Sequence, residues 1–377
     1  MNQDLSYERY HRQVILPGFG EQGQRQLADA HVLVIGAGGL GCPALQYLVA
    51  AGVGHVGIAD DDVVSLSNLH RQVLYTTDDI GKKKAEVAAQ KLQQLNPGVV
   101  FTTYTERWQQ QHCLDFFGAY DIIVDGTDNF ATRYLINDAC VLLNKPLVYG
   151  AVSQFEGQVA VFNASLPDGS RSVNYRHLFP QPPKADEIRN CAEAGVLGVL
   201  PGIIGMMQAT EVIKLITGIG QPLVNQLLTY DALRQTVFTV ALPPATAQAQ
   251  GVPVDTGAFL QTNYEWLCGV MLDASLEISF GELKQMPHET YLLVDVRERH
   301  EQPRLTGFER IEIPMAELET NWDVMEGRQV IFICQSGKRS MQAALRLKEK
   351  FPEGEVYSVR GGVGGMMNGE LGIRNEE

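Results

Sequence analysis

Two stretches hold residue types whose spacing suits chemistry. The first is "FICQSGKRSM", residues 332–341, where an apolar run ends on Cys334 and a short loop runs on to Arg339 and Ser340. A cysteine that ends a strand and starts a loop opening a helix is well placed to become a thiolate, because loop N–H groups and a helix N-terminus favour negative charge. Two chemistries use such a loop: attack on a phosphate, and carriage of a sulfur atom. The second stretch is "GAGGLG", residues 36–41, which fits G-x-G-x-x-G between an apolar strand and a helix. Its glycines, Gly36, Gly38, Gly39 and Gly41, would let the backbone approach a pyrophosphate, and Asp60, at the end of the next strand, lies where a ribose hydroxyl is bound.

These two nucleotide features alone suit an NAD enzyme as well as other nucleotide binders. The following residues favour phosphate chemistry on ATP. "DDDVVSLSNLHRQ" brings carboxylates, Asn68 and Arg71; "GKKKAE" adds lysines at a helix start; "DGTDN" puts Asp125 and Asp128 at the C-terminal end of a strand. Cations and a carboxylate able to hold Mg²⁺ are what phosphoryl chemistry needs. Each has a plainer reading: Lys82 and Lys83 as solvated surface, Asp125 as a helix cap, Arg71 as an ordinary ion-pair partner. The set as a whole argues for a site.

The elements that must position these groups are readable. "HVLVIGAGGLGCPALQYLVAAGVGHVGIADDD" is a strand, turn, helix and second strand. "GKKKAEVAAQKLQQLN" is an amphipathic helix stopped at Asn96-Pro97, and "VVFTTYTER", "YDIIVDGTDN" and "KPLVYGAV" are strands, the last two flanking the helix "FATRYLINDACVLLN". This alternation predicts a doubly wound, Rossmann-like, mostly parallel α/β sheet. After residue 150, "EGQVAVFNA" and "QLLTYDALRQTVFTVAL" predict an antiparallel extension, with "ATEVIKLITG" as a helix between them. Residues 243–272 open with the aperiodic, Pro/Ala/Gln-rich "PPATAQAQGVPVDTGAFLQT" and are expected to be a linker between domains at 1–242 and 273–377. The last part alternates again, through "YLLVDVRE", "RQVIFICQS", "RSMQAALRLKEKF" and "VYSVRGG", and predicts a small α/β domain.

With 377 residues, 45% of them hydrophobic and 20% charged, the chain can bury real cores. A formal net charge of −14 makes nucleic acid a poor partner and leaves a basic protein surface open. Six scattered cysteines without a C-x-x-C pair, and a polar start without an apolar h-region, imply a reduced, cytoplasmic protein with free thiols. The most apolar stretch, "AGVLGVLPGIIGMM", is too short for a membrane span and reads as a buried helix.

"ERYHRQVILPGFGEQGQRQL", "VLVIGAGGLG", "DDDVVSLSNLHRQ", "DGTDNFATRYLIND" and "CAEAGVLGVLPGIIGMMQATEVIKLITG" together resemble the ubiquitin-activating-type adenylyltransferases that activate molybdopterin synthase and the thiazole sulfur carrier. The resemblance covers residues 5–242. It implies that the C-terminal Gly-Gly carboxylate of a ubiquitin-like sulfur carrier attacks the α-phosphorus of ATP, giving an acyl-adenylate and pyrophosphate. It also implies roles: the four glycines on the phosphates, Asp60 on ribose, Asn68, Arg71 and Lys84 on phosphates, Asp128 on Mg²⁺, and Arg12 reaching the ATP of the other subunit of a homodimer. Cys191 stands where some members take up the carrier covalently; the alternative is a small apolar residue. Many relatives bind a structural zinc with two C-x-x-C pairs, but here the corresponding positions are Asn174, His177, Glu265 and Cys268, so a four-thiolate site is impossible and no zinc is expected. A mixed site on His177, Glu265 and Cys268 is the lesser alternative.

The C-terminal domain resembles a rhodanese in "YLLVDVRERHE", "VIFICQSGKRSMQAALRL" and "SVRGGVGGMMN", and departs from that family in "RLTGFERIEIPM". Its loop decides between the two chemistries. Arg339 follows Cys334 by five residues, one fewer than a phosphatase cradle needs. The tighter loop suits a persulfide, with Lys338 and Arg339 beside it. The whole then reads as an enzyme that adenylates a sulfur carrier and delivers sulfur from Cys334, supplied by a cysteine desulfurase or thiosulfate, to make a thiocarboxylate for molybdenum-cofactor or thiamine biosynthesis. Alternatives are an NAD-dependent oxidoreductase with a fused redox domain, a non-catalytic scaffold for ubiquitin-like proteins, and a carrier-activating enzyme for protein conjugation or another sulfur pathway.

Overall fold

A computed structural model describes residues 3–181, 195–245, 249–262, 264, 274–299, 301–302, 307–335 and 337–364. The chain divides into two compact units between Tyr264 and Glu265.

The first unit is built on an eight-stranded sheet. Its strands are β1 (His31–Ile35), β2 (His55–Ala59), β3 (Val100–Tyr104), β4 (Ile122–Asp125), β5 (Leu147–Ser153), β6 (Glu156–Phe162), β7 (Gln226–Asp231) and β8 (Thr236–Ala241). They lie in the order β3-β2-β1-β4-β5-β6-β7-β8, parallel through β5 and antiparallel beyond it. This is the expected mostly parallel sheet with its antiparallel extension. β1 is buried from Val32 to Ile35, as a strand covered on both faces must be. The strand order reverses between β1 and β4, and ligands sit at the carboxyl ends of strands at such a switch point.

The helices of this unit are α1 (Gln3–Val14), α2 (Gly20–Asp29), α3 (Gly41–Ala51), α4 (Lys84–Leu95), α5 (Gln110–Phe116), α6 (Phe130–Leu142), α7 (Tyr175–Leu178), α8 (Val199–Thr217) and α9 (Thr256–Gln261). α3 leaves the glycine loop directly, tolerates Pro43 in its first turn, and ends on Gly52 in the left-handed region. α8 is, among the described residues, the one helix long and apolar enough to cross a membrane. Here it packs on α2, α3, β5 and β6, with Leu200, Ile204 and Val212 fully buried.

The expected linker, 243–272, is partly structured. Asp255 caps α9 by accepting from Ala258 N at 2.8 Å, and Phe259 is buried. Tyr264 donates to Asp138 Oδ2 at 2.9 Å. The same carboxylate receives Arg176 from α7 through two bonds of 2.7 Å, and the Arg176 guanidinium lies over the Tyr134 ring. Such a pair is acceptable in a core because nearly every donor and acceptor around it is matched. The sequence showed no periodicity here because a six-residue helix holds too few turns to display one.

The second unit has a five-stranded parallel sheet in the order β11-β10-β12-β13-β9. Its strands are β9 (Glu277–Ile278), β10 (Leu292–Asp295), β11 (Ile311–Glu312), β12 (Val330–Ile333) and β13 (Val356–Val359), with helices α10 (Phe280–Gln285) and α11 (Lys338–Lys350). β12 is wholly buried, and Cys334 follows it directly.

Candidate functional site

The nucleotide-site residues converge at the β1/β4 switch point. Gly36 has φ +94°, and a Cβ there would lie 2.7 Å from Gly126 O, so the turns after β1 and β4 touch through backbone. A Cβ on Gly41 would lie 1.8 Å from Gly36 O. Both positions therefore demand glycine. Gly38 and Gly39 face side chains instead, Gln72 and Pro201 with Arg71.

Asp60 reaches back to this loop. Its carboxylate accepts Ala37 N at 2.8 Å and Asp62 N at 2.9 Å. Burial pushes its pKa up to about 6, with the Asp62 charge adding to the rise while Lys84 and the two N–H bonds oppose it. Lys84 opens α4 almost fully buried, with Nζ 2.8 Å from Asp62 Oδ2. Burial works against its charge, but Asp60, Asp62 and Asp128 overcome that and hold its pKa above the ordinary value. A buried, firmly protonated lysine facing three carboxylates beside a glycine loop is equipped to meet phosphate.

Asn68 turns its side chain to the local backbone, its Oδ1 accepting Ser65 N at 3.1 Å. Arg71 donates to Ser67 O at 2.9 Å and touches His70 Nε2 at 2.8 Å. Asp128 is exposed just past β4. One carboxylate with nucleotide phosphates is the ordinary set for Mg²⁺, so Asp128 fits that ion. Asp125 is not available to a ligand: it is buried, accepts from Thr127 N and Oγ1, and pairs with Arg133 at 3.3 Å. Arg12 lies exposed in the last turn of α1. Cys191 lies outside the described residues, as do Glu265 and Cys268.

Asn174 and His177 are both used locally. Asn174 Oδ1 accepts Arg176 N at 3.0 Å, and Asn174 N donates to His177 Nδ1 at 3.1 Å. Among the described residues no three His, Cys, Asp or Glu side chains gather as a metal site. The Arg176–Asp138–Tyr264 clasp ties down this segment.

Sequence reading missed two residues here. Gln72 is buried, and its Oε1 has no partner among the described residues although the amide lies beside Gly38. Tyr75 Oη lies 2.9 Å from Ala37 O and 3.2 Å from Lys84 O, linking the glycine loop to the start of α4. The run "RQVLY" was the available signal, since a tyrosine buried at a loop usually finds a partner for its hydroxyl.

In the second unit Cys334 is buried, with Sγ 3.4 Å from Ser340 Oγ. The loop is clamped from three sides. Arg297, itself paired with Asp295, donates to Gln335 Oε1 at 3.1 Å. Val363 N and Gly364 N donate to the carbonyls of Cys334 and Gln335, both at 2.9 Å. Arg339, expected beside the sulfur, forms a bidentate pair with Glu301 at 2.6 and 2.7 Å. Glu301 stood in the quoted "VRERHE" without an assigned role.

Residues 10–251 match the ThiF family, which is more than half of the chain. The chain belongs to the ThiF family. Residues 279–368 match the rhodanese-like domain, so a ThiF domain is followed by a rhodanese-like one. The ThiF domain is similar to the sulfur carrier protein adenylyltransferase of Thermus thermophilus, 51% identical over 70% of this chain and 97% of that protein. Both domains are similar to the probable adenylyltransferase/sulfurtransferase MoeZ of Mycobacterium tuberculosis, 39% identical over 94% of this chain and 91% of that one. The adenylyltransferase and sulfurtransferase MOCS3 of Drosophila grimshawi is 36% identical over 96% and 84%. Among solved structures, E. coli MccB with succinimide superimposes with a TM-score of 0.55 at 21% identity, over 64% of this chain and 73% of MccB, a likeness of fold. The chain is thus an adenylyltransferase joined to a sulfurtransferase domain, which sets aside the oxidoreductase alternative.

Proposed function

We propose that the ThiF domain adenylates the C-terminal glycine of a ubiquitin-like sulfur carrier, and that Cys334 then delivers sulfur to the activated acyl group. The observation that carries this is Lys84, buried and held protonated by three carboxylates beside the glycine loop. The carrier carboxylate attacks the α-phosphorus of ATP, the bond to the β-phosphate breaks, and pyrophosphate leaves. Charge growing on phosphorus is met by Lys84, Arg71 and the N–H groups of the loop. Asp128 would hold Mg²⁺, which supplies charge neutralisation on the phosphates when bound. Asp60 holds the glycine loop through Ala37 N and takes the ribose hydroxyls.

In the second half-reaction the outer sulfur of a Cys334 persulfide attacks the acyl carbon and AMP leaves. A further thiol, with Cys191 as a candidate, attacks the Cys334 sulfur of the resulting acyl disulfide; a disulfide to Cys334 forms, the old S–S bond breaks and the carrier departs as a thiocarboxylate. A homodimer in which Arg12 serves the neighbouring nucleotide, a donor that is thiosulfate or a cysteine-desulfurase persulfide, and a cytoplasmic setting belong to the same proposal. A carrier of molybdopterin-synthase or thiazole type is the partner.

ATP–pyrophosphate exchange with purified carriers ending in Gly-Gly tests this. Exchange is expected with one of them and is lost in Lys84→Ala. Exchange with none of them sinks the reading. Cys334→Ala keeps exchange and makes no thiocarboxylate.

A further inference from the structure

Behind the sulfur of Cys334 lies a layer that the sulfur chemistry above does not use. Cys334, Ser340 and Ser358 are all buried, and they come from the end of β12, the first turn of α11 and the middle of β13. Ser358 Oγ donates to Ser340 Oγ at 2.8 Å. Ser340 Oγ donates to Gly337 O at 3.0 Å and stands 3.4 Å from Cys334 Sγ. A hydroxyl has one proton and two lone pairs. With Cys334 as a thiol every group is matched: Sγ–H and Ser358 both donate to Ser340, and Ser340 donates to Gly337.

With Cys334 as an anion the sulfur needs a donor instead. Ser340 supplies it by turning its O–H from Gly337 O to Sγ. That turn orphans nothing, because Gly337 O also accepts Met341 N at 3.1 Å and has Ser358 Oγ at 3.4 Å. Ser358 keeps donating to Ser340 throughout, and a hydroxyl that accepts a hydrogen bond becomes a stronger donor.

We propose that Ser358 is a positioning residue that acts through Ser340 to hold the Cys334 sulfur as an anion. The need arises twice. The thiolate attacks the outer sulfur of a donor such as thiosulfate; the donor S–S bond breaks and sulfite leaves. When an acceptor takes that outer sulfur, the electron pair of the persulfide bond returns to Sγ. The inference rests on reading Cys334 as the sulfur-carrying residue. The described charged groups on the elements flanking the loop are the Arg297–Asp295, Arg339–Glu301 and Arg360–Glu277 pairs. Arginines stay protonated and carboxylates ionised across neutral pH, so these pairs do not mask a titration of the sulfur.

The test uses the full chain with Ser358→Ala, Ser358→Thr, Ser340→Ala and the double alanine variant. Two readouts are followed against pH: ultraviolet absorbance of the thiolate, as the difference from Cys334→Ala, and sulfur transfer from thiosulfate to cyanide. Ser358→Ala should move the titration up by about one pH unit and slow transfer about tenfold at neutral pH, with recovery at high pH. Ser358→Thr, which keeps the hydroxyl, should restore both. The double variant should be no worse than Ser340→Ala alone. An unmoved titration, a loss equal at every pH, or losses that multiply in the double variant would each overturn the proposal. A titration that moves in a protein that transfers no sulfur, parent included, supports the relay and removes the sulfur-carrying reading instead.

Discussion

The two sites of this chain are assembled in opposite ways. The nucleotide site is gathered from far along the sequence: Asp60, Arg71, Lys84 and Asp128 arrive from four different strand ends, loops and helix starts. The parallel sheet brings them together at its switch point, and compensation among charges holds them. The sulfur loop, Cys334 to Ser340, is one contiguous stretch of sequence, and neighbouring elements clamp it. A dispersed site depends on the whole sheet being right. A contiguous loop depends on its own backbone and a few anchors.

That contrast yields graded expectations. The largest effect should come from Lys84→Ala, which removes the buried cation of the dispersed site. ATP–pyrophosphate exchange should fall on the order of 10³-fold, while thiosulfate:cyanide transfer by Cys334 stays within about twofold. A parallel loss of both activities would mean that the sites are not separately built. Next, Gly41→Ala should destabilise the first unit by about 4 kcal/mol, because its Cβ would meet Gly36 O at 1.8 Å. Gly38→Ala, whose nearest neighbour would be Gln72 Nε2 at 3.6 Å, should fold normally. Urea unfolding of both variants gives the comparison, and equal losses would refute the backbone-contact reading.

Asp60 comes third and acts through pH. Its carboxyl titrates at about 6 in the folded chain and near 4 when unfolded, so the folded state binds the extra proton in between. Its contribution is therefore complete below about pH 4 and is lost as pH rises through about 6, roughly 3 kcal/mol at 1.36 kcal/mol per unit. Asp60→Asn should remove that part of the stability slope in urea titrations from pH 4 to 7; an unchanged slope would mean that Asp60 does not hold a raised pKa in the folded chain. The smallest effect is Tyr264→Phe, which leaves Asp138 its Arg176 and Asn137 bonds. It should lower the midpoint of the first unit alone, by about 1 kcal/mol in stability, read in the same denaturation curves.

The contrast also explains what the sequence could and could not disclose. The cysteine loop and the glycine loop were legible because each is local: residue types at fixed offsets imply a backbone shape. The alternating patterns disclosed both sheets, since buried strands of four or five apolar residues stand out between amphipathic helices. β9 and β11 were invisible because two residues carry no periodicity. The Tyr75 strap and the Ser358–Ser340 contact join residues far apart in sequence through packing that no local pattern encodes. The Arg339–Glu301 pair was hidden differently: both residues were in view, but only the fold sets one against the other.

The Tyr264–Asp138–Arg176 clasp bears on how such chains are joined. It extends the self-sufficient part of the ThiF domain past strand β8 to Tyr264, where the first compact unit ends. The similarity to the Thermus thermophilus protein spans 265 residues, close to the length of that unit. A domain that seals its own last segment can stand alone or accept a passenger at its seam without repacking its core. The rhodanese-like match begins at residue 279, past the end of that unit, so in sequence the fusion adds a second module beyond the clasp.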